Sequence, residues 1–410
     1  MDDQGELSRL LTAAETAAPV EAVDVVAQDL LRRFGATRVS FLIVDLTGRA
    51  IVPLTTASQQ ESVGQADRIE LHGSVYERVV RTQQLYRETT TWGERVICPV
   101  TNRGDAIGLL ELLLPTGQDE ATVHAVGEAA HALAYIMIAN QRYTDLYTWG
   151  KRSRPLTLAA EIQHQLLPPS LTCEGAQFAL CGTMEPSNSI SGDTFDYTLD
   201  RDTLHLSLTD PMGHDIEAAL AATILVSALR GARRNGADLL EQARQADQAL
   251  AAHGPPGHAT GQLVRVDLHT GQARLVNAGH PWPLRMRDGI VEEVALEVDP
   301  PFGLPVPIPH PHRVQELDLR PGDRLIMLTD GMLEQDAERV DLAAVLKGTR
   351  NLHPRETVLA LTSAVLDAVD GRLEDDATVL CLDWHGSGET ERQVASGADI
   401  RQASPRRTAP

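Results

Sequence analysis

The sequence predicts an α+β protein with two domains and a polar tail. Three observations carry this. The first 150 or so residues alternate helical stretches with strand–turn–strand pairs. Gly150 and Pro155 then interrupt the helical pattern. The rest, to about residue 385, is strand-rich around one long helix at 214–235. The expected division is a domain over 1–148, a helical linker over 149–172, a second domain over 173–385 and a disordered tail over 386–410.

The elements follow in order. Residues 1–35 read as helical and end at Gly35, a residue suited to a C-cap. VSFLIVDLTGRAIVPL is two apolar runs around a turn, a hairpin. ELHGSVYERVVRTQ reads as a short helix, and VICPVTNRGDAIGLLELLL as a second strand–turn–strand. Residues 119–148 are strongly helical, with an apolar stripe at Val126, Ala129, Ala130, Leu133 and Met137. That stripe has two uses: burial within the first domain, or pairing with a second chain as a homodimer through the helices at 119–168. A helix, LTLAAEIQHQLLP, ends at Pro168, and further helices fall near 238–252 and 354–369. From Gly386 the chain is rich in Gly, Ser, Arg and Pro, a composition that buries little.

The formal net charge is −21, which argues against nucleic-acid or anionic-membrane partners. An anionic substrate would therefore need a locally positive site, from arginines or metal ions. The start, MDDQGELSRLL, is acidic where a secretory signal is basic, and no apolar run reaches 18 residues, so a cytoplasmic protein is expected. The four cysteines, Cys98, Cys173, Cys181 and Cys381, form no CxxC pair and read as small buried hydrophobes.

Four places in the second domain set aspartate against an apolar strand: Asp193 and Asp196, Asp210, Asp330, and Asp375 with Asp376. Any one is more simply a turn or a helix cap. Together they are harder to dismiss. Asp210 and Asp330 end strands of the same type, LHLSLTD and RLIMLTD, and Asp375 and Asp376 precede one. Carboxylates gathered at one rim repel and rise in pKa, a penalty that a hard divalent cation such as Mg²⁺ or Mn²⁺ removes. No GxxxxGK[ST], HExxH or EF-hand pattern is present.

In this set the second domain resembles the metal-dependent serine/threonine phosphatases of the protein phosphatase 2C (PPM) type, and within them the bacterial SpoIIE-like regulators of sigma factors. The opening helix motif stands as Ala159, Ile162-Gln163 and Leu166-Leu167-Pro168. The Gly-Gly-Asp-x-x-Asp motif stands as Ser191-Gly192-Asp193-Thr194-Phe195-Asp196, and Gly-Asp-x-x-Gly-His-Gly as Thr209-Asp210-Pro211-Met212-Gly213-His214-Asp215. Asn277-Ala278-Gly279-His280, Thr329-Asp330-Gly331 and Asp375-Asp376-Ala377-Thr378 complete the series.

The resemblance implies an αββα sandwich, two packed antiparallel sheets flanked by helices, with two Mn²⁺ or Mg²⁺ ions at one end. Asp210 would bridge the ions, Asp330 and Asp375 would complete one site, and Asp193 with the Pro211 carbonyl would serve the other. Asp210 and Asp330 are the expected catalytic residues, acting through a metal-bridged hydroxide. The expected substrate is phosphoserine or phosphothreonine on a partner protein, an anti-sigma-factor antagonist. Asp376 matches a position held by Asp or Asn, and Asp196 one further out. His214 and His280 are candidate general acids, with structural histidines the plainer reading. Ser191 and Asp215 stand where the pattern has glycine. The first domain resembles a GAF domain, a small-ligand or signal sensor, on its element order and the CPVTNRGDAIGLLEL hairpin. The alternatives are a pseudophosphatase scaffold and a ligand-binding transcriptional regulator, the latter lacking a basic helix-turn-helix.

Overall fold

The computed structural model describes residues 3–54, 68–151, 156–187, 192–253, 257–304, 312–333, 335–389 and 391–405. They fall into two compact units: residues 1–155 with 392–410, and residues 156–391.

The first unit opens with α1 (Asp3–Thr16) and α2 (Ala22–Phe34), the latter closed by Gly35 at φ 63°. β1 (Arg38–Val44) and β2 (Ala50–Pro53) form the expected hairpin. Its turn is held by the buried Asp45 carboxylate, which accepts from the Thr47 hydroxyl and the Arg49 and Ala50 amides. β3 (Ile69–Glu70) leads to α3 (Val75–Thr82), capped by Ser74, whose hydroxyl accepts from the Glu77 amide while Glu77 reaches back to the Gly73 amide. β4 (Tyr86–Thr90), β5 (Gly93–Asn102) and β6 (Asp105–Leu114) follow, then α4 (Glu120–Asn140) and α5 (Leu146–Gly150). The sheet is antiparallel, in the order β3-β2-β1-β6-β5-β4. Helices α1, α2 and α4 cover one face and α3 the other.

For the α4 stripe the first of the two alternatives holds, and one expectation, the disordered tail, is corrected here. The stripe Val126, Ala129, Ala130, Leu133 and Met137 on α4 is 0–4% exposed inside the first unit's core, so it offers no face to a second chain. α4 has the length and hydropathy of a membrane span, yet it is the core helix of this unit. The tail expected to be disordered from 386 also has structure. β18 (Val394–Ala395) and β19 (Ala398–Asp399) form a small hairpin belonging to the first unit. The Gly104 amide donates to the Gly397 carbonyl and the Ser404 amide to the Arg81 carbonyl. A Cβ at Gly397 would lie 2.0 Å from the Thr101 oxygen, so glycine is what permits this approach. Composition missed a segment whose burial is confined to a few residues, Ala398 and Asp399 among them.

In the second unit α6 (Leu158–Leu166) precedes β7 (Thr172–Glu174), β8 (Phe178–Glu185), β9 (Thr194–Leu199) and β10 (Thr203–Pro211). α7 (Asp215–Arg234) and α8 (Leu239–His253) follow, then β11 (Ala259–Asp267), β12 (Ala273–Ala278), β13 (Leu284–Arg287), β14 (Ile290–Glu293), β15 (Gln315–Leu317) and β16 (Arg324–Leu328). α9 (Leu342–Gly348), α10 (Pro354–Ala368) and β17 (Ala377–Trp384) end the unit. One sheet runs β15-β12-β11-β10-β9 and the other β14-β13-β16-β17-β8-β7.

Alternate residues of both sheets face each other. Leu204, Leu206, Leu208 and Val264 from one pack against Phe178, Leu180, Met327 and Leu380 from the other. The outer faces are closed by helices. Leu225, Leu229 and Leu250 of α7 and α8 cover Leu263 and Val276, and Val358, Leu361 and Val365 of α10 cover Ile326, Val379 and Cys381. This is a helix–sheet–sheet–helix stack. Helix α6, expected within a linker, is part of this unit: Ala159, Ala160 and Leu166 pack on Ala219, Ala222 and Val226 of α7. All four cysteines are free and buried, and burial pushes the Cys98 and Cys381 thiols well up.

Candidate active site

β10 alternates Leu204, Leu206 and Leu208 into the sandwich, then reaches the rim at Asp210, opposite Thr260 on β11, and at Pro211, opposite Ala259. β9 starts just after Asp193, beside the same end of β10, where the Thr194 and Thr209 hydroxyls lie 2.7 Å apart. In the other sheet β16 stops at Leu328, and a 3-10 turn carries Asp330. β17 starts just after Asp375 and Asp376. The Thr329 amide donates to the Thr378 carbonyl, locking these two strand ends together. The four acidic islands therefore meet at one end of the sandwich.

Their electrostatics bear the marks of crowding. Burial, then Asp330 and Asp375, pushes the Asp210 carboxyl up to about 8, with only the Thr260 hydroxyl opposing. Asp193 is fully buried and also lies well above the ordinary range, from burial and then Asp210 and Asp376. The Thr329 and Thr378 hydroxyls each donate to its Oδ2 at 2.7 Å and fix its orientation. Asp375 accepts the Asp376 amide on Oδ1 at 2.7 Å.

The remaining acidic residues, Asp376 and Asp196, are engaged by protein donors. Asp376 is fully buried and accepts from Gln163 Nε2 at 2.6 Å, the Ser187 amide at 2.8 Å and the Gly192 amide at 3.3 Å. The same Gln163 amide donates to the Asp193 carbonyl at 2.9 Å, so α6 plugs directly into the base of the site. Asp196 is saturated by arginines of α7, accepting from Arg230 at 3.0 and 3.1 Å and from Arg233 at 2.6 Å; it ties that helix to β9.

The histidines separate. His214 is exposed at the start of α7, its Nδ1 3.0 Å from the Asp215 carboxylate. His280 is buried, and burial pulls its imidazole down to about 4, the Leu328 carbonyl opposing. A histidine that stays neutral near pH 7 is a poor proton donor to a leaving group, which favours a structural part for it.

Asp215 adopts φ 58°, a left-handed conformation that explains why glycine is the pattern residue there. Aspartate tolerates it better than most side chains. Asp215→Gly should leave stability within about 1 kcal/mol of wild type, whereas Asp215→Val should cost about 1–2 kcal/mol more, measured by urea denaturation. Ser191, another departure from the pattern, lies outside the described residues.

The donor set fits a hard divalent cation: carboxylate oxygens gathered at a rim where Asp210, held protonated by burial and its neighbours, is still partly exposed. Among the described residues, no three His, Cys, Asp or Glu side chains yet close on a common point. A bound cation would have to draw Asp210, Asp330 and Asp375 together.

Sequence reasoning missed Thr260, and it missed what Thr329, Thr378 and the amide of Gln163 do at this rim. Gln163 stood in the opening motif, without a partner to give it meaning.

The SpoIIE family (Stage II sporulation protein E) matches residues 200–385. The chain is 24% identical over 245 residues to the phosphoserine phosphatase RsbP of Bacillus subtilis (strain 168), covering 56% of this chain and 58% of that relative, so it spans little more than half of RsbP. Among solved structures, the RsbU and RsbW domains of Rv1364c from Mycobacterium tuberculosis are 23% identical, covering 51% of this chain and 60% of that one, with a TM-score of 0.44. The PP2C phosphatase domain and regulatory-domain fragment of SpoIIE from Bacillus subtilis are 19% identical, covering 51% and 65%, with a TM-score of 0.44. The match to the SpoIIE family from residue 200 to 385 takes in the strand ends that carry Asp210, Asp330 and Asp375.

Proposed function

We propose that this protein is a metal-dependent serine/threonine phosphatase acting on a phosphorylated partner protein, with the first unit as its regulator. One observation carries the reading: Asp210 ends β10 beside Asp330 and Asp375, inside a phosphatase-family domain, with its carboxyl pushed up by burial and those neighbours. Asp330 and Asp375 would hold one ion with Asp210. Asp193, oriented by its two threonines, would hold the other with Asp210 and the Pro211 carbonyl. Bound Mn²⁺ or Mg²⁺ supplies charge neutralisation and water activation for phosphoryl displacement. The chain's own part is to present Asp210 and Asp330 at an open rim and to keep that rim rigid through Asp193 and Asp376. Phosphoserine on an anti-sigma-factor antagonist is the proposed substrate, in keeping with the phosphoserine phosphatase RsbP.

The regulatory reading of the first unit, as a GAF-like sensor in the cytoplasm, is supported by its element order. A cavity of about 1100 Å³, lined by Leu10, Cys98, Val123, His131, Tyr135 and Val394, has room for a small ligand. The competing reading, a catalytically weak scaffold, draws on the unclosed carboxylates. Hydrolysis of p-nitrophenyl phosphate or a phosphoserine peptide with Mn²⁺, abolished by EDTA, is the expected result. No metal-dependent hydrolysis, even with the first unit deleted, would favour the scaffold.

A further inference from the structure

The Asn-Ala-Gly-His element lies well outside the acidic islands, yet the fold aims it at them. Asn277 is fully buried at the end of β12; its Nδ2 donates to the His280 carbonyl at 2.9 Å and its Oδ1 accepts from the His280 amide at 2.9 Å. Gly279 between them sits at φ 72°, with the Pro301 ring 2.7 Å from where a Cβ would be. This tight turn sets the direction of the His280 ring. Its Nδ1 lies 2.8 Å from the Thr260 hydroxyl. That hydroxyl in turn lies 3.4 Å from Asp210 Oδ2.

We propose that Thr260 is a positioning residue, which holds the Asp210 carboxylate in its metal-receiving orientation while His280 fixes the direction of the Thr260 hydroxyl. The inference rests on the metal reading of the site and deepens it. The proton count sets the direction of the chain. Thr260 has one hydroxyl proton. If His280 carries its proton on Nδ1, it donates to the Thr260 oxygen and the Thr260 proton is free for Asp210. In the other tautomer, with an Nε2–H turned towards the Leu328 carbonyl, the Thr260 proton is spent on Nδ1 and Asp210 receives nothing. The Thr260 hydroxyl is the donor towards Asp210 Oδ2, as the first of these tautomers requires. Cross-strand pairing supplies the rest, since Thr260 stands directly opposite Asp210 in the β10–β11 register.

The test is calorimetric Mn²⁺ titration of the full chain as wild type, Thr260→Val and Thr260→Ser, beside thermal unfolding of each. Valine keeps the shape and removes the hydroxyl, and serine returns it. Groups that orient a metal ligand are typically worth 10–100-fold in affinity. Thr260→Val should therefore bind Mn²⁺ about tenfold more weakly at an unchanged fold, and Thr260→Ser should recover most of that loss. Wild-type affinity in the valine variant, or a serine variant as weak as valine, would overturn the proposal. Wild-type protein that takes up no Mn²⁺ would instead overturn the metal reading, and this inference with it.

Discussion

Replacing Asp210 with asparagine should abolish phosphatase turnover and, without metal, make stability less dependent on pH. The first effect follows from position: Asp210 is the carboxylate that the others surround. The second follows from its raised pKa. In the unfolded chain the group ionises near its ordinary value of 3.8, whereas in the fold it holds its proton to about 8. Between those values the native state binds more protons than the unfolded state, so stability falls as pH rises. The contribution is fully present below about 4, is lost progressively through about 8, and is flat above. Each tenfold difference in the ionisation constant between the two states corresponds to about 1.4 kcal/mol. Urea midpoints of the metal-free wild type should therefore drop between about pH 5 and pH 8. Asp210→Asn should flatten that slope, leaving the part due to Asp193, which is raised in the same direction. An equally steep slope in the variant would mean that Asp210 is not the strained carboxylate.

Gly331→Ala should damage both fold and activity, although it adds one methyl group. A Cβ there would lie 2.1 Å from the Asp376 oxygen and 2.9 Å from its carbonyl carbon, and both are backbone. No side chain can swing aside, so the 375–376 segment or the Asp330 turn must move. Overpacking of this kind costs about 1–3 kcal/mol. A displacement of about 1 Å at a reacting centre costs on the order of a hundredfold in rate, so kcat should fall at least that far. The control is Gly231→Ala in α7, where nothing lies within 4 Å of the added methyl and the helix gains about 0.5–1 kcal/mol. Unfolding midpoints and kcat measured side by side separate the two. A Gly331→Ala enzyme with wild-type kcat would show that the Asp330 turn tolerates movement.

What could be read from the sequence was what is local. The hairpin around Thr47-Gly48-Arg49, the strand that ends at Asp210 and the helix starting near 214 are each written in a short run of residues. The acidic islands could be gathered because each abuts a strand end, and strand ends can share a rim. The supporting groups could not be read, because their partners are remote: Thr260 lies 50 residues from Asp210, and Gln163 lies 213 from Asp376. Asp196 and Asp376 look alike in sequence to Asp193 and Asp375. Only the fold shows that arginines fill one and amides the other. The stripe on α4 was ambiguous because an apolar helix face looks the same whether its own unit or another chain covers it. The tail misled for the opposite reason, since a polar segment can dock through a few buried residues such as Ala398.

The central claim, that the rim around Asp210 is a metal centre, meets its most direct test in proton release. Calorimetric titration of Mn²⁺ into the full chain near pH 7, repeated in buffers of different ionisation enthalpy, counts the protons displaced per ion bound. With Asp210 held up to about 8 and Asp193 raised in the same direction in the absence of metal, filling the site should expel at least about one proton near pH 7 and fewer as pH rises past 8. No Mn²⁺ uptake, or uptake with no linked proton, would contradict it.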